Sequence, residues 1–280
     1  MRNFIDLFIL SIMAPLTGAE PAGPNIIFVM ADDQGSIDLG CYGAKDLETP
    51  HVDALAARGV RLTQFYSAAP VCSPSRAGAL AASFMEQNRA KPFFIYYALN
   101  TPHYPSQGHA KWLQRFKHLP YPRNLYTAFV AAQDERLGKL FAKVDELGLR
   151  ERTIIVYQSD NGHSTEERAH YGGGNAGPYR GAKFSLFEGG IRLPAILSWP
   201  GRLPATEVRN QMGHTCDWLP TLAELAEIKL HVSRVDDRSL SAVLRDAGTA
   251  SPHAKRALHW QVGAGNKPDW AVRQCDWKLI

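Results

Sequence analysis

Asn25-Ile26-Ile27-Phe28-Val29-Met30 runs directly into Ala31-Asp32-Asp33-Gln34-Gly35. A nearly continuous apolar run of this length reads as a strand covered on both faces, as in a parallel sheet. The acidic pair and the glycine end it. The arrangement recurs twice. Pro92-Phe93-Phe94-Ile95-Tyr96-Tyr97-Ala98 precedes Thr101-Pro102-His103, and Thr153-Ile154-Ile155-Val156-Tyr157 precedes Ser159-Asp160-Asn161-Gly162. Helical patterns lie between. Thr49 to Gly59 offers a capping threonine, proline in the first turn and a terminal glycine. Tyr126 to Leu147 carries Phe129, Val130, Leu137, Leu140, Phe141 and Val144 at helical spacing, and Gly148 closes it. Strands alternating with helices indicate an α/β sandwich with a mostly parallel central sheet flanked by helices. Ligands of such sheets sit beyond the strand C-termini, where the three polar segments gather. Residues 161–181 are glycine-rich and predict a loop over that end.

The 280 residues are enough for a sizeable core in one domain. Hydrophobic content of 45% and charged content of 21% are ordinary for a globular protein. A net charge of +4 without a dense Lys/Arg run gives no support for nucleic-acid binding. Residues 1–19 read as a signal peptide: Arg2, an apolar stretch from Leu7 to Leu16, then small residues at Thr17-Gly18-Ala19. That stretch is too short for a stable membrane span. Residues 20–280 then form the mature, secreted or periplasmic domain. Cysteines 41, 72, 216 and 275 make no disulfide framework in a chain this long.

Val71-Cys72-Ser73-Pro74-Ser75-Arg76 places a thiol four residues before an arginine, with Pro74 suited to a first helical turn. A helix N-terminus there would favour an anion. A lone cysteine is equally well a small buried hydrophobe, and the spacing does not separate the two readings. Ser75 fits a helix cap as well as it fits catalysis. Asp32, Asp33, Asp160 and Asn161 are hard oxygen donors leaving two strands, and calcium takes six to eight such oxygens. Each pair taken alone is equally a turn former. Gln34 is a neighbour of that set or a turn residue. His163 reads as an exposed loop histidine, and His170, His214 and Asp217 carry no stronger signal.

Cys72 to Leu80 resembles the signature of the type I, calcium- and formylglycine-dependent sulfatases, the arylsulfatase-like enzymes. The acidic pair, Thr101-Pro102-His103, Ser159-Asp160-Asn161-Gly162, Gly181-Ala182-Lys183 and Glu188 to Pro194 follow in that family's order. The resemblance implies an alkaline-phosphatase-like fold and hydrolysis of sulfate esters, aryl or carbohydrate. It implies that a maturation enzyme oxidises Cys72 to formylglycine (3-oxoalanine), whose hydrate attacks sulfur. Asp32, Asp33, Asp160, Asn161 and residue 72 would hold Ca²⁺, and Arg76 would hold the hydrate near it. Lys183 would bind a sulfate oxygen, and His103 would stand near the leaving oxygen as a general acid.

Two departures from the pattern are visible. The motif's usual Leu-Thr-Gly is replaced by Leu80-Ala81-Ala82, and Phe84 to Arg89 already reads as the helix before the next strand. A family segment is therefore missing near residues 82–83, and with it a Gly-Lys-Trp-His run whose lysine and histidine serve the site. Ala271 to Ile280 resembles one family strand that normally continues into a helix, so the C-terminal subdomain reads as cut short. Two alternatives stay open: a phosphate or phosphonate ester hydrolase of the same superfamily, and an impaired remnant that only binds calcium or sulfated glycan. A cysteine phosphatase is excluded, because its loop places arginine six residues after cysteine.

Overall fold

The computed structural model describes residues 23–69, 79–105, 109–231, 237–263 and 268–280. Cys72, Ser75, Arg76 and the N-terminal stretch 1–19 lie outside them. The regular elements in chain order are β1 (Asn25–Asp32), α1 (Pro50–Ala57), β2 (Val60–Tyr66), α2 (Ala79–Asn88), β3 (Phe94–Pro102), α3 (Ala110–Arg115) and α4 (Arg123–Glu146). They continue with β4 (Thr153–Ser159), α5 (Glu188–Ile191), β5 (Arg192–Ser198), β6 (Glu207–Arg209), β7 (Gly213–His214), α6 (Trp218–Leu225) and α7 (Ser241–Arg245). Three C-terminal strands close the chain, β8 (Leu258–Val262), β9 (Asp269–Gln274) and β10 (Trp277–Leu279).

The large sheet has the order β3-β1-β4-β5-β2-β6, with β7 also on β2. β1 pairs in parallel with both β3 and β4, whereas β5 runs antiparallel to β4 and β2. The sheet is covered on both faces because neighbouring residues point to opposite sides. Ile27, Val29, Ile155 and Tyr157 meet α1, α2 and α4 through Val52, Leu55, Met85, Leu137 and Leu140. Ile26, Phe28, Ile154 and Val156 meet α6 and α7 through Trp218, Leu222, Leu225 and Leu244. β1 and β4 are accordingly buried along nearly their whole length.

β3 departs from the expected double burial. Ile95 and Tyr97 are buried against the helices, but Phe94 and Tyr96 are 42% and 41% exposed. Among the described strands β3 pairs only with β1, and the α6–α7 layer packs on β1, β4, β5 and β2. Tyr96 packs beside Phe28, its register partner, with ring centroids 6.0 Å apart. Their shared face continues past the helices that cover Phe28.

Local chemistry accounts for α1 with one correction. Pro50 takes the first helical position, as its fixed φ suits. The Thr49 hydroxyl does not cap; it accepts from the Gly40 N–H at 2.8 Å and donates to Asp53 Oδ1 at 3.2 Å. The free N–H groups of His51 and Val52 donate instead to the Asp134 carboxylate of α4, at 3.0 and 2.8 Å. A buried tertiary acceptor replaces the local one. α4 ends at Glu146 with Leu147 as its cap, and Gly148 follows with φ 67°, the left-handed residue that closes many helices. At the C-terminus two strands are found where one was expected, with Cys275 at φ 51° in the turn between β9 and β10. Cys41, Cys216 and Cys275 are unbridged.

Candidate functional site

Three adjacent parallel strands end side by side, and this alone assembles most of the predicted residues. Asp32 at the end of β1 is in register with Pro102 of β3, and Ala31 with Ser159 of β4. His103 therefore emerges on one side of the Asp32-Asp33 pair, and Asp160-Asn161 on the other. Asp33 turns sharply at φ 67°, a conformation that Asp tolerates better than most residues. Its N–H donates to Asp160 Oδ1 at 3.1 Å, and the Asn161 N–H donates to the same oxygen at 2.7 Å. Asn161 Nδ2 donates to Asp33 Oδ1 at 2.7 Å.

Lys183 comes from the loop between β4 and α5. It is buried, not the solvated lysine that sequence position alone would suggest, and its Nζ lies 2.8 Å from Asp33 Oδ1 and 2.9 Å from Asp33 Oδ2. The loop is fastened by the Lys183 N–H donating to the His163 carbonyl at 2.9 Å. His103 Nε2 stands 3.7 Å from Asp33 Oδ2. Its Nδ1 is 2.6 Å from the Tyr104 carbonyl, which can only accept, so Nδ1 carries a hydrogen. Ligand atoms of Asp32, Asp33 and His103 all fall within 4.8 Å of one another.

The electrostatics point to a cation. Asp160 is pushed up to about 7, first by burial and then by the neighbouring Asp32 charge. Asn161 Oδ1 is buried and has no hydrogen-bond partner among the described residues. Three carboxylates and an amide oxygen with an open lone pair suit a hard divalent ion.

Several supporting residues were not legible beforehand. Gln34 is neither a ligand nor a plain turn residue. It is fully buried, its Nε2 donates to the Asp38 carbonyl at 2.6 Å, and its Oε1 accepts from Tyr157 and Gln133. His163 is 8% exposed, not a solvent-exposed loop histidine, and burial pushes its imidazole down to about 4. Arg123 donates to Asp38 at 2.7 Å, to Asp46 at 2.6 Å and to the Gly173 carbonyl at 2.8 Å. Asp38 also accepts from the Asn175 N–H at 2.6 Å, so this pair pins the glycine-rich loop over the site. Asp38 lies six residues after Asp32 with no spacing signal, and its partner is remote in sequence. A groove opens above Asp33, lined among others by Pro102, Tyr104, Ser164, His170 and Gly173. Ser159 Oγ accepts from the Gln34 N–H at 3.0 Å and donates to the Asn161 carbonyl at 2.8 Å, which fixes the two strand ends to each other.

The family model described as Sulfatase matches residues 24–89 and 78–228. This chain belongs to the sulfatase family. It is 25% identical to human arylsulfatase A over 369 aligned positions, covering 86% of this sulfatase and 71% of that protein. Its backbone superposes on Ps i-CgsB, solved in complex with k-i-k-neocarrahexaose, with a TM-score of 0.83 at 22% identity, covering 91% and 83% of the two chains. The phosphonate monoester hydrolase of Agrobacterium radiobacter superposes with a TM-score of 0.64 at 14% identity, covering 91% and 86%. The sulfatase fold is thus alkaline-phosphatase-like, α/β with a mostly parallel mixed sheet, as the sequence implied.

Proposed function

We propose that this chain hydrolyses sulfate esters of carbohydrates or aryl alcohols, with residue 72 as the nucleophile after conversion to formylglycine and with calcium at the strand ends. The observation that carries the proposal is the convergence of Asp32, Asp33, Asp160, Asn161, His103 and Lys183 at the C-terminal ends of β1, β3 and β4. The carboxylates and Asn161 Oδ1 would hold the ion. Bound there, calcium supplies positive charge that acidifies the nucleophile and draws on the sulfuryl oxygens. Formylglycine at position 72 would supply the nucleophilic hydroxyl as its hydrate.

The chain's own groups do the rest. Lys183 presents an ammonium at the same point and offers it to a sulfate oxygen. His103, held by Nδ1–H on the Tyr104 carbonyl, turns Nε2 toward the site, from which a proton reaches the leaving alcohol oxygen. Arg76 would orient the hydrate. The loop from Gly162 to Phe187, tied down through Arg123 and His163, limits water at the reacting centre.

The alignment with arylsulfatase A runs over 369 positions although this chain has 280 residues, and the two family matches meet within α2. We read this as a missing family segment beside residues 82–83. No Gly-Lys-Trp-His run occurs anywhere in the sequence. A positioned acid or base and an anion-stabilising donor are each worth about 10²–10⁴ in rate, so turnover far below that of a complete sulfatase is expected. Export follows from the N-terminal reading, and among the described residues no helix is long and apolar enough to cross a membrane.

The test is co-expression with a formylglycine-generating enzyme. The peptide carrying residue 72 should weigh about 18 Da less than its thiol form, by the thiol-to-aldehyde change. Aryl sulfate should be turned over with calcium and not with chelator. Turnover of aryl phosphate or phosphonate alone would assign the chain to the second reading, which the phosphonate hydrolase fold keeps in view.

A further inference from the structure

A second group of metal-binding side chains lies away from the strand ends described above. β7 joins β2 in parallel, with Gly213 beside Phe65 and His214 beside Tyr66. The chain then turns through Thr215, Cys216 and Asp217 into α6. Ligand atoms of His214, Cys216 and Asp237 lie within 4.8 Å of one another, and all three residues are partly buried. An imidazole nitrogen, a thiol sulfur and one carboxylate oxygen form the mixed N/S/O set that zinc accepts, unlike the all-oxygen set of Asp32, Asp33, Asp160 and Asn161.

The trio is held in place by a single buried carboxylate. Asp217 Oδ2 accepts from the His214 N–H at 2.8 Å, and Asp217 Oδ1 accepts from the Arg238 N–H at 3.0 Å. One side chain thus fixes the backbone of the segment carrying His214 and Cys216 and of the residue next to Asp237. Asp217 is itself fully buried and is held by His253 Nε2 at 2.7 Å. The His214 Nδ1 accepts from the Cys216 N–H at 3.4 Å, a long contact that a metal would replace, and the ring packs against Trp260, with ring centroids 6.0 Å apart. His253 Nδ1, also buried, has no hydrogen-bond partner among the described residues. The cluster therefore has the donor types, the mutual spacing and the outer support of a built site.

We propose that His214, Cys216 and Asp237 form a zinc site with a fourth position open, separate from the calcium set. Its place in the fold gives it a purpose. The Thr215 hydroxyl donates to the Tyr66 carbonyl at 3.1 Å, and Trp260 Nε1 donates to the Ser67 carbonyl at 2.8 Å. These contacts brace the end of β2, from which the chain leads toward Cys72. A metal bridging β7, the turn into α6 and the Asp237 segment would stiffen that base.

Cobalt(II) titration of the full chain tests this, because a thiolate ligand gives a ligand-to-metal charge-transfer band that oxygen sites lack. The titration is run in a Cys72→Ala background to remove the other chemically marked thiol, and repeated with Asp33→Asn. One equivalent of Co²⁺ should produce the band in both, and Zn²⁺ should displace it. Cys216→Ser should abolish the band, and Asp237→Asn should weaken binding at least tenfold while circular dichroism stays native. If Cys216→Ser fails to fold, Asp237→Asn alone decides. A band that survives Cys216→Ser, full affinity in Asp237→Asn, or no thiolate band at all would overturn the site. Zinc should also raise the melting temperature of the Cys72→Ala chain and not of Cys72→Ala with Cys216→Ser, since a ligand bound only to the native state stabilises it.

Discussion

The Lys183 ammonium lies 2.8 Å from Asp33 Oδ1, and both side chains are almost wholly buried at 3% and 2% exposure. Residues 150 positions apart in sequence thus share one charge site, and Lys183 already balances part of the negative charge that a divalent ion would balance further. Lys183→Met should cost about 3–5 kcal/mol in chelator, the usual penalty for orphaning a buried ion. With saturating calcium the loss should shrink. Urea unfolding with and without chelator checks this, and an equal loss under both conditions would argue against an ion on Asp33.

His103→Gln should lower turnover by about 10²–10⁴ for an alkyl or sugar sulfate, whose leaving oxygen needs a proton. For a nitrophenyl sulfate the loss should be far smaller, because that leaving group departs unprotonated. The measurement is kcat for a leaving-group series. A penalty independent of the leaving group would remove His103 from the acid role.

Burial holds His163 near 4, against an ordinary value of 6.5. Between those values the unfolded chain binds a proton that the folded chain refuses. Stability therefore falls as pH drops from about 6.5 toward 4, by about 3 kcal/mol from this group. His163→Asn should flatten that part of the profile. Chemical denaturation at several pH values across the window is the check.

Gly162 follows Asn161 where another backbone leaves no room. A Cβ at Gly162 would lie 1.9 Å from the Gly189 carbonyl oxygen, and one at Gly189 would lie 2.1 Å from the Gly181 carbonyl oxygen. Gly162→Ala should destabilise by about 1–3 kcal/mol and displace Asn161, lowering calcium affinity as well. Calorimetric calcium titration of the variant reads the second effect; unchanged affinity would mean that Asn161 is not a ligand.

Arg123→Lys keeps a charge between Asp38 and Asp46 but loses the planar fork that also reaches the Gly173 carbonyl. Proteolysis within residues 161–181 should accelerate and KM should rise, with a smaller effect on kcat. Arg123→Ala should cost more stability, because Asp38 is buried and would be left without its cation.

Much of the site was readable from strand patterning. Asp32, His103 and Asp160 sit at the ends of apolar runs, and a parallel sheet brings such ends together regardless of the intervening sequence. Gln34, His163 and Arg123 were not readable in the same way. Gln34 reads as a neighbour of the acidic set or a turn residue, His163 reads as an exposed loop histidine, and no motif marks Arg123. Arg123 reaches Gly173, 50 residues away, and Gln34 accepts from Tyr157, 123 residues away, while the place of His163 is set by burial. The same limit explains the Thr49 cap, which yields to a carboxylate of α4, and the exposure of Phe94 and Tyr96, whose strand reads like its buried neighbours.

The sequence by itself determined the α/β class, the strand ends and the residue types of the proposed calcium and sulfate site, because periodicity and local motifs encode those. Only the tertiary structure decided that β3 is an edge among the described strands, that Lys183 is buried on Asp33, and that His214, Cys216 and Asp237 meet. Burial and charge pairing depend on which surfaces face each other, and that relation is set by packing between segments and not by any one of them.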